Sequence, residues 1–114
     1  MTPDQSSANL LHSSQAPGDI QRLTLNDPDR RNALSEEMLA ALSDAFERAG
    51  NNPDVRVIIL AAAGPVFCAG HDLKQMTAAG QNDDRGRAYF TKILTQCSRV
   101  MQKIMTCPKP VIAE

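Results

Sequence analysis

Blocks of apolar and polar positions along the chain predict strands and helices in alternation. Residues 20–26 form a weak strand with turn-forming residues on both sides. Residues 55–60 are β-branched and apolar on both faces, a pattern typical of a strand buried in a parallel sheet between crossover helices. Residues 111–113 begin a third strand. The order predicts an α/β fold with mostly parallel strands.

Two longer segments place apolar side chains at helical spacing. The first helix follows Ser35, whose hydroxyl is placed to cap it, and we expect Gly50 to end it as a left-handed cap. The second covers residues 86–105 and stops before Pro108. Both are amphipathic, so each is expected to pack one face against the sheet. The apolar positions are Met38, Leu39, Leu42, Ala45, Phe46 and Ala49 in the first helix and Phe90, Ile93, Leu94, Cys97, Val100, Met101, Ile104 and Met105 in the second.

The length and composition allow one domain. The chain has 114 residues, and because only 4% of them are aromatic, the core is expected to be aliphatic. Residues 1–17 are rich in Ser, Gln, Asn and Pro and lack a sustained period. This composition predicts a mobile tail ahead of a partial domain over residues 18–114.

Charge and motifs exclude several classes of function. The formal net charge of -1 favours neither nucleic acid nor an anionic membrane as a partner. No apolar run approaches the roughly 20 residues of a membrane span. The chain lacks the P-loop, dinucleotide-binding, HExxH and nucleophile-elbow motifs, and its cysteines lack paired spacing, which predicts free thiols and no metal site. Because no targeting leader is recognisable, we expect a cytoplasmic location.

The remaining candidate for chemistry is the loop between the strongest strand and the helix that Asp72 is expected to open. Gly64 and Gly70 flank this loop, and glycine allows a sharp turn or the close approach of a ligand. Unpaired main-chain N–H groups at the start of a helix favour negative charge, so they can form an oxyanion hole for a carbonyl oxygen. A connection of this kind is more often a simple turn, and the pattern alone leaves both interpretations open.

Four motifs in order resemble the enoyl-CoA hydratase/isomerase (crotonase) family. They are RRNALS at residues 30–35, VIIL at residues 57–60, GPVFCAGHDLK at residues 64–74 and KPVIA at residues 109–113. The variant AGHDLK resembles one particular branch of that family. The resemblance covers residues 20–114 and implies the N-terminal portion of a crotonase-like ββα spiral. A generic α/β domain with chance matches to these motifs is the alternative.

The resemblance implies roles for individual residues. His71 takes the position whose main-chain N–H donates to the thioester carbonyl oxygen, so its amide is the expected catalytic group. A basic side chain ahead of the first helix is suited to a phosphate of coenzyme A. The residues expected to contact coenzyme A or the substrate are Arg30, Arg31, Asn32, Ala33, Leu34, Ala69, Gly70, His71, Asp72, Leu73 and Lys74.

Several of these side chains have a structural interpretation as well. The His71 ring is expected to lie exposed in the loop, since the role needs only the main chain. Arg30 and Arg31 are equally consistent with a solvated turn. Asp72 is more typical of a helix cap than of a ligand contact, and Cys68 is expected to pack.

The resemblance also implies what the rest of the reaction requires. In this family a second N–H donor lies in a glycine-rich motif after the strand that Val111 begins, and glutamates beyond it serve as general acid and base. We therefore expect residues 1–114 to be inactive alone, and the full-length form to hydrate or isomerise a 2-enoyl-CoA in fatty-acid metabolism. The implied partner is an acyl-CoA thioester, with coenzyme A as part of the substrate, no prosthetic group, and a full-length trimer or hexamer. A non-catalytic coenzyme A-binding or assembly module is the alternative.

Overall fold

The structure is a computed structural model, and it describes residues 10–114. Four strands form one sheet, in the order β1 (Leu11–Ala16), β2 (Ile20–Leu25), β3 (Val57–Ala62) and β4 (Val111–Ala113). The helices are α1 (Glu36–Asn51), α2 (Leu73–Ala79) and α3 (Arg87–Met105), with a short 3₁₀ turn at Pro28–Arg30. The predicted α/β class is confirmed.

The sheet is mostly parallel, as the patterning predicted. β2 pairs with β3 and β3 pairs with β4 in parallel. Parallel neighbours need a crossover, which α1 supplies between β2 and β3, and α2 with α3 supply between β3 and β4. β1 is antiparallel to β2, and the turn between them contains Gly18 and Asp19, both with positive φ.

β1 corrects the prediction of a mobile tail over residues 1–17. Leu11–Ala16 pairs with Ile20–Leu25 along its whole length. Main-chain groups make these hydrogen bonds, so the pairing does not require apolar periodicity. The mostly polar sequence LHSSQA therefore does not indicate the strand. The domain therefore includes β1, ahead of the predicted start at residue 18. Residues 1–9 lie outside the described part of the chain.

The core lies between one face of the sheet and the two long helices. Leu23, Leu25 and Ile58 supply the sheet side of this core. The helices bury part of the apolar set that their periodicity predicted, and full burial of one large aliphatic side chain contributes about 1.5–3 kcal/mol. These helix residues are Met38, Leu39, Leu42, Phe46, Ala49, Ile93 and Val100.

The opposite face of the sheet is not covered in the same way. Successive side chains of a strand point to opposite faces, so Ile58 enters the core while Val57 and Ile59 point away from it. Val57 and Ile59 are partly exposed, and Ile112 of β4 is 53% exposed. We expected β3 to be buried on both faces, but within residues 10–114 only one of its faces lies in the core.

Helix α1 begins as predicted and ends differently. The Ser35 hydroxyl accepts a hydrogen bond from the Met38 N–H at 3.1 Å. The helix continues through Asn51, so Gly50 is helical and is not a left-handed cap. A Cβ at Gly50 would lie 3.5 Å from Cδ of Pro108. This is an ordinary van der Waals distance, so the contact with Pro108 does not require glycine at residue 50.

Helix α3 buries only one side of its apolar stripe. Ile93 and Val100 are each 1% exposed, whereas Leu94 is 57%, Met101 40% and Met105 84% exposed. The buried part of the predicted apolar face is therefore limited to the side of α3 that contacts α1 and the sheet. None of the helices in the described part of the chain is long and apolar enough to cross a membrane.

Candidate functional site

Two loops meet where the parallel strands β2 and β3 end. The first covers residues 26–35 after β2, and the second covers residues 63–72 after β3. The carboxyl ends of neighbouring parallel strands lie at the same edge of a sheet, which is where α/β proteins commonly bind ligands. The structure thus brings together the predicted segments 30–34 and 69–74.

Main-chain hydrogen bonds join the two loops. The Ala69 N–H donates to the Arg31 carbonyl at 3.0 Å, and the Leu34 N–H donates to the Gly70 carbonyl at 2.7 Å. Leu34 and His71 thereby form an isolated parallel bridge. The position of residue 71 therefore depends directly on the loop after β2.

A Cβ at residue 70 would have no close neighbour, and residue 71 has a main-chain N–H group without a partner among the described residues. Gly70 has φ +94°, a conformation that side-chain-bearing residues rarely adopt, and a Cβ there would have no neighbour within 4 Å. The His71 N–H donates no hydrogen bond to any residue in the described range 10–114. This amide is therefore available to an acceptor that is not part of the loop.

The His71 ring is less exposed than we expected. The residue is half-buried, and its Nδ1 is buried without a hydrogen-bond partner within the described residues. Leaving a buried polar atom unpaired is unfavourable by about 1–3 kcal/mol. Both an amide and a ring nitrogen of residue 71 thus have unused hydrogen-bonding capacity.

Asp72 caps helix α2, which is the structural interpretation of this residue. Its Oδ1 accepts from the N–H groups of Lys74 at 2.9 Å and Gln75 at 3.1 Å. Its Oδ2 lies 3.5 Å from the Arg30 guanidinium. Because Asp72 is only 5% exposed, its carboxylate faces the protein and ties the loop after β2 to the start of α2. Arg30 is therefore engaged within the chain.

Asn32 has a role that the sequence did not indicate. Its side chain is 0% exposed, and Nδ2 donates to the carbonyls of Ala63 and Val66, each at 2.9 Å. Its Oδ1 accepts from the Asp27 N–H at 2.7 Å. An enclosed side chain does not reach a ligand, so the predicted contact of Asn32 with coenzyme A is corrected to a contact between loops. The one local signal was that Asn tolerates positive φ, here 54°.

The exposed edge of the site combines basic and apolar groups. Arg31 and Lys74 are exposed, and neither makes an ion pair with another described residue. Leu73, which precedes Lys74 in the chain, is 74% exposed, and Phe67 of the second loop is 40% exposed. Ala33 is buried, so its side chain supports the loop. These positions offer cations for phosphate next to apolar surface.

Gln75 fixes helix α2 to the start of α1. Its Nε2 donates to both carboxylate oxygens of Glu37, at 2.9 Å and 3.1 Å, and its Oε1 accepts from the Glu36 N–H at 3.2 Å. Partial burial raises the pKa of the nearby Tyr89 hydroxyl, and neighbouring carboxylates, led by that of Glu36, raise it further. Tyr89 therefore stays neutral and donates to Gln75 at 3.5 Å.

Other surface features do not coincide with these loops. An open groove of about 720 Å³ lies between the β1–β2 hairpin and α1, and another of about 670 Å³ lies between α1 and α3. Neither groove is lined by residues 69–74. Within residues 10–114, no three His, Cys, Asp or Glu side chains lie together as metal ligands.

Comparison with known sequences gives one consistent group. The family model described as enoyl-CoA hydratase/isomerase matches residues 15–114. The chain is 40% identical over 113 residues to the mitochondrial enoyl-CoA hydratase domain-containing protein 3 of Danio rerio, covering 99% of this chain and 36% of the relative. This is the branch that the segment AGHDLK resembles.

Comparison with solved structures agrees with the sequence matches. An enoyl-CoA hydratase of Mycobacterium smegmatis superposes with a TM-score of 0.82 at 45% identity, over 91% of this chain and 38% of that one. The human enoyl-CoA hydratase domain-containing protein 3 gives a TM-score of 0.79 at 36% identity, over 91% and 39%. The predicted crotonase-like α/β fold is confirmed. The chain spans little more than a third of the length of these relatives.

The expectation of a cytoplasmic location is wrong. The similar proteins of Danio rerio and Homo sapiens are both named as mitochondrial. The expectation had one basis, which was that no targeting leader is recognisable in the N-terminal segment. The lack of a recognisable leader within one stretch of sequence does not decide where a protein resides.

Proposed function

Because the chain belongs to the enoyl-CoA hydratase/isomerase family, we propose that it binds an acyl-CoA thioester at the loop of residues 69–72. The thioester carbonyl oxygen accepts a hydrogen bond from the His71 main-chain N–H. The observation that carries this proposal is that this N–H donates no hydrogen bond within residues 10–114. It also follows Gly70, where a Cβ would have no neighbour within 4 Å. An oriented N–H of this kind stabilises negative charge on a carbonyl oxygen.

The coenzyme A nucleotide lies along the basic edge of the site in this proposal. Arg31 is exposed and follows the 3₁₀ turn, and Lys74 is exposed in the first turn of α2. An exposed guanidinium and an exposed ammonium are suited to bind the phosphates of the nucleotide. Arg30 contributes indirectly, because its guanidinium already faces Asp72.

The complete reaction is a property of the whole protein in this proposal. Hydration or isomerisation of a 2-enoyl-CoA passes through an enolate, which a second donor stabilises, and it needs an acid and a base. The loops within residues 10–114 supply one donor and a binding edge. We assign acyl-CoA binding to this segment, and enolate chemistry in mitochondrial fatty-acid metabolism to the full-length protein.

Calorimetric titration with crotonyl-CoA and with free coenzyme A tests the proposal. We expect crotonyl-CoA to bind more tightly than coenzyme A, because only the thioester offers a carbonyl to the His71 amide. Equal affinity for the two ligands, or no binding of either, would contradict the proposal.

A matched pair of arginine variants tests the nucleotide end. Arg31 and Arg85 are both exposed and both have positive φ, 53° and 60°. Asn tolerates this conformation, so Arg31→Asn and Arg85→Asn remove a cation with little backbone strain. We expect only Arg31→Asn to weaken binding of coenzyme A and crotonyl-CoA alike. If the two variants behave identically, Arg31 does not contact the nucleotide.

A second candidate function is an assembly module, and one observation favours it. Leu94, Met101 and Met105 form an exposed apolar row along α3. Large exposed apolar side chains in a row are typical of surfaces that meet another protein. Light scattering combined with calorimetry distinguishes the two functions, because an assembly module forms a discrete oligomer that binds neither crotonyl-CoA nor coenzyme A.

A further inference from the structure

We propose that Asn32 is a positioning residue that holds the His71 amide in place for the thioester carbonyl. This inference rests on the proposed function of that amide. Asn32 is fully buried, so its effect on binding passes through the two loops that it connects.

The Asn32 side chain fixes the start of the second loop. Its two Nδ2 hydrogens donate to the carbonyls of Ala63 and Val66, both at 2.9 Å. The main chain on either side of Asn32 fixes the end of the same loop, through the bonds that reach Ala69 and Gly70. The loop that carries residue 71 is therefore held at both ends by the four-residue stretch 31–34, which contains Asn32.

Asn32 also fixes its own loop. Its Oδ1 accepts from the Asp27 N–H at 2.7 Å, and its own N–H donates to the Asp27 carbonyl at 2.9 Å. One side chain thus joins three stretches of backbone: the exit of β2, the turn before α1 and the exit of β3. An amide can do this because it offers one acceptor and two donor hydrogens on a short planar group.

Residue type and conformation agree at this position. φ is 54°, a region that Asn and Asp adopt more readily than other side-chain-bearing residues. Asp has a similar shape and tolerates positive φ, but its carboxylate lacks the two N–H donors of the Asn amide. Gly tolerates positive φ but has no side chain. Because the site is closed to water, nothing replaces the lost donors, and the carbonyls of Ala63 and Val66 must move to find other partners. Small displacements are enough to misalign an oxyanion donor.

The test uses crotonyl-CoA labelled with ¹³C at the thioester carbonyl. A hydrogen bond to the carbonyl oxygen moves the ¹³C resonance downfield when the ligand binds, whereas free coenzyme A reports nucleotide binding alone. In Asn32→Asp and Asn32→Gly we expect this downfield shift to be lost while affinity for free coenzyme A stays at the wild-type value. Arg85→Gly is the control, because it places glycine at another positive-φ position whose side chain is exposed and makes no hydrogen bond to these loops, and it is expected to keep the shift.

The possible outcomes separate the proposed function of the His71 amide from the positioning role of Asn32. No shift in the wild type would overturn the proposed function, and the inference with it. A shift in the wild type that persists in both Asn32 variants would overturn only the inference. Parallel loss of the shift and of coenzyme A affinity, or loss of the fold of both variants by circular dichroism, would show that Asn32 supports the domain as a whole and would also overturn it.

Discussion

At the scale of single residues, the site depends on which main-chain groups already have partners. The Gly70 carbonyl accepts from Leu34, and the Asp72 carboxylate accepts from two N–H groups of α2. Between them, the His71 N–H has no partner among residues 10–114, and the ring Nδ1 of the same residue is buried and unpaired. An experiment on this residue therefore has to separate the amide from the imidazole.

We expect His71→Pro to weaken crotonyl-CoA binding about fivefold, because proline has no N–H and a neutral hydrogen bond contributes about 1 kcal/mol. His71→Ala keeps the N–H and is expected to retain the wild-type affinity. Calorimetry with both variants gives the comparison, and free coenzyme A controls for nucleotide binding. Equal weakening by both substitutions would assign the contact to the imidazole.

At the scale of helices, side chains supply acceptors for the unpaired N–H groups of the first turn. Ser35 and Asp72 do so for α1 and α2, as predicted. In α3 the cap position is Gly86, which has no side-chain acceptor, so Asp84 supplies it from two residues earlier. Its two oxygens accept from the N–H groups of Gly86 and Ala88, each at 2.9 Å. These hydrogen bonds, that from Ala88 first, lower the pKa of Asp84.

The lowered pKa of Asp84 predicts a stability contribution that depends on pH. A carboxyl group with a lower pKa in the folded state stabilises the fold above its ordinary pKa of 3.8, and the effect is lost as the pH falls through the folded-state value. We expect Asp84→Asn to lower Tm by a constant amount above about pH 5, with the difference shrinking below about pH 4.

Thermal melts followed by circular dichroism across this range measure the effect. Asp83→Asn is the control, because Asp83 is an exposed neighbour whose carboxylate has no hydrogen bond to another described residue. A difference in Tm between Asp84→Asn and the wild type that does not change with pH would contradict the assigned role of the ionised carboxylate.

At the scale of the whole molecule, the core is one-sided. Helices α1 and α3 cover one face of the sheet, while Ile59 and Ile112 on the other face stay outside the core cluster of the described residues. One side of α3 is also uncovered, at Leu94 and Met105. The chain spans 36% of the length of its Danio rerio relative. Exposed apolar side chains on the sheet and on α3 favour association of this segment with another protein surface.

We expect the double substitution of Leu94→Lys and Met105→Lys to reduce self-association with little change in the free energy of unfolding. Both side chains are more than half exposed, so they contribute little to the core. The adjacent Ile93 is 1% exposed, and Ile93→Ala is expected to lower stability by about 2–5 kcal/mol. Sedimentation velocity at several concentrations and urea unfolding measure the two quantities. Unchanged association in the double variant would place the contact surface elsewhere.

Elements whose signals are local could be predicted from the sequence. The apolar periods of α1 and α3 and the caps at Ser35 and Asp72 all depend on residues within one or two helical turns. The β-branched run of β3 is also local, although the strand begins at Val57, two residues later than predicted. The ordered motifs were sufficient to indicate the family, because they lie in short contiguous stretches.

Three further features depend on contacts between separate segments of the chain. The polar segment Leu11–Ala16 became a strand because main-chain groups of β2 were available to it. One side of α3 was buried and the other left exposed according to where α1 and the sheet lie. Asn32 became a buried connector because residues 63–66 fold back onto it. Each of these features depends on a strand, helix or loop that contacts the segment only after the chain has folded. Local periodicity cannot predict such contacts, because it depends on neighbouring residues alone.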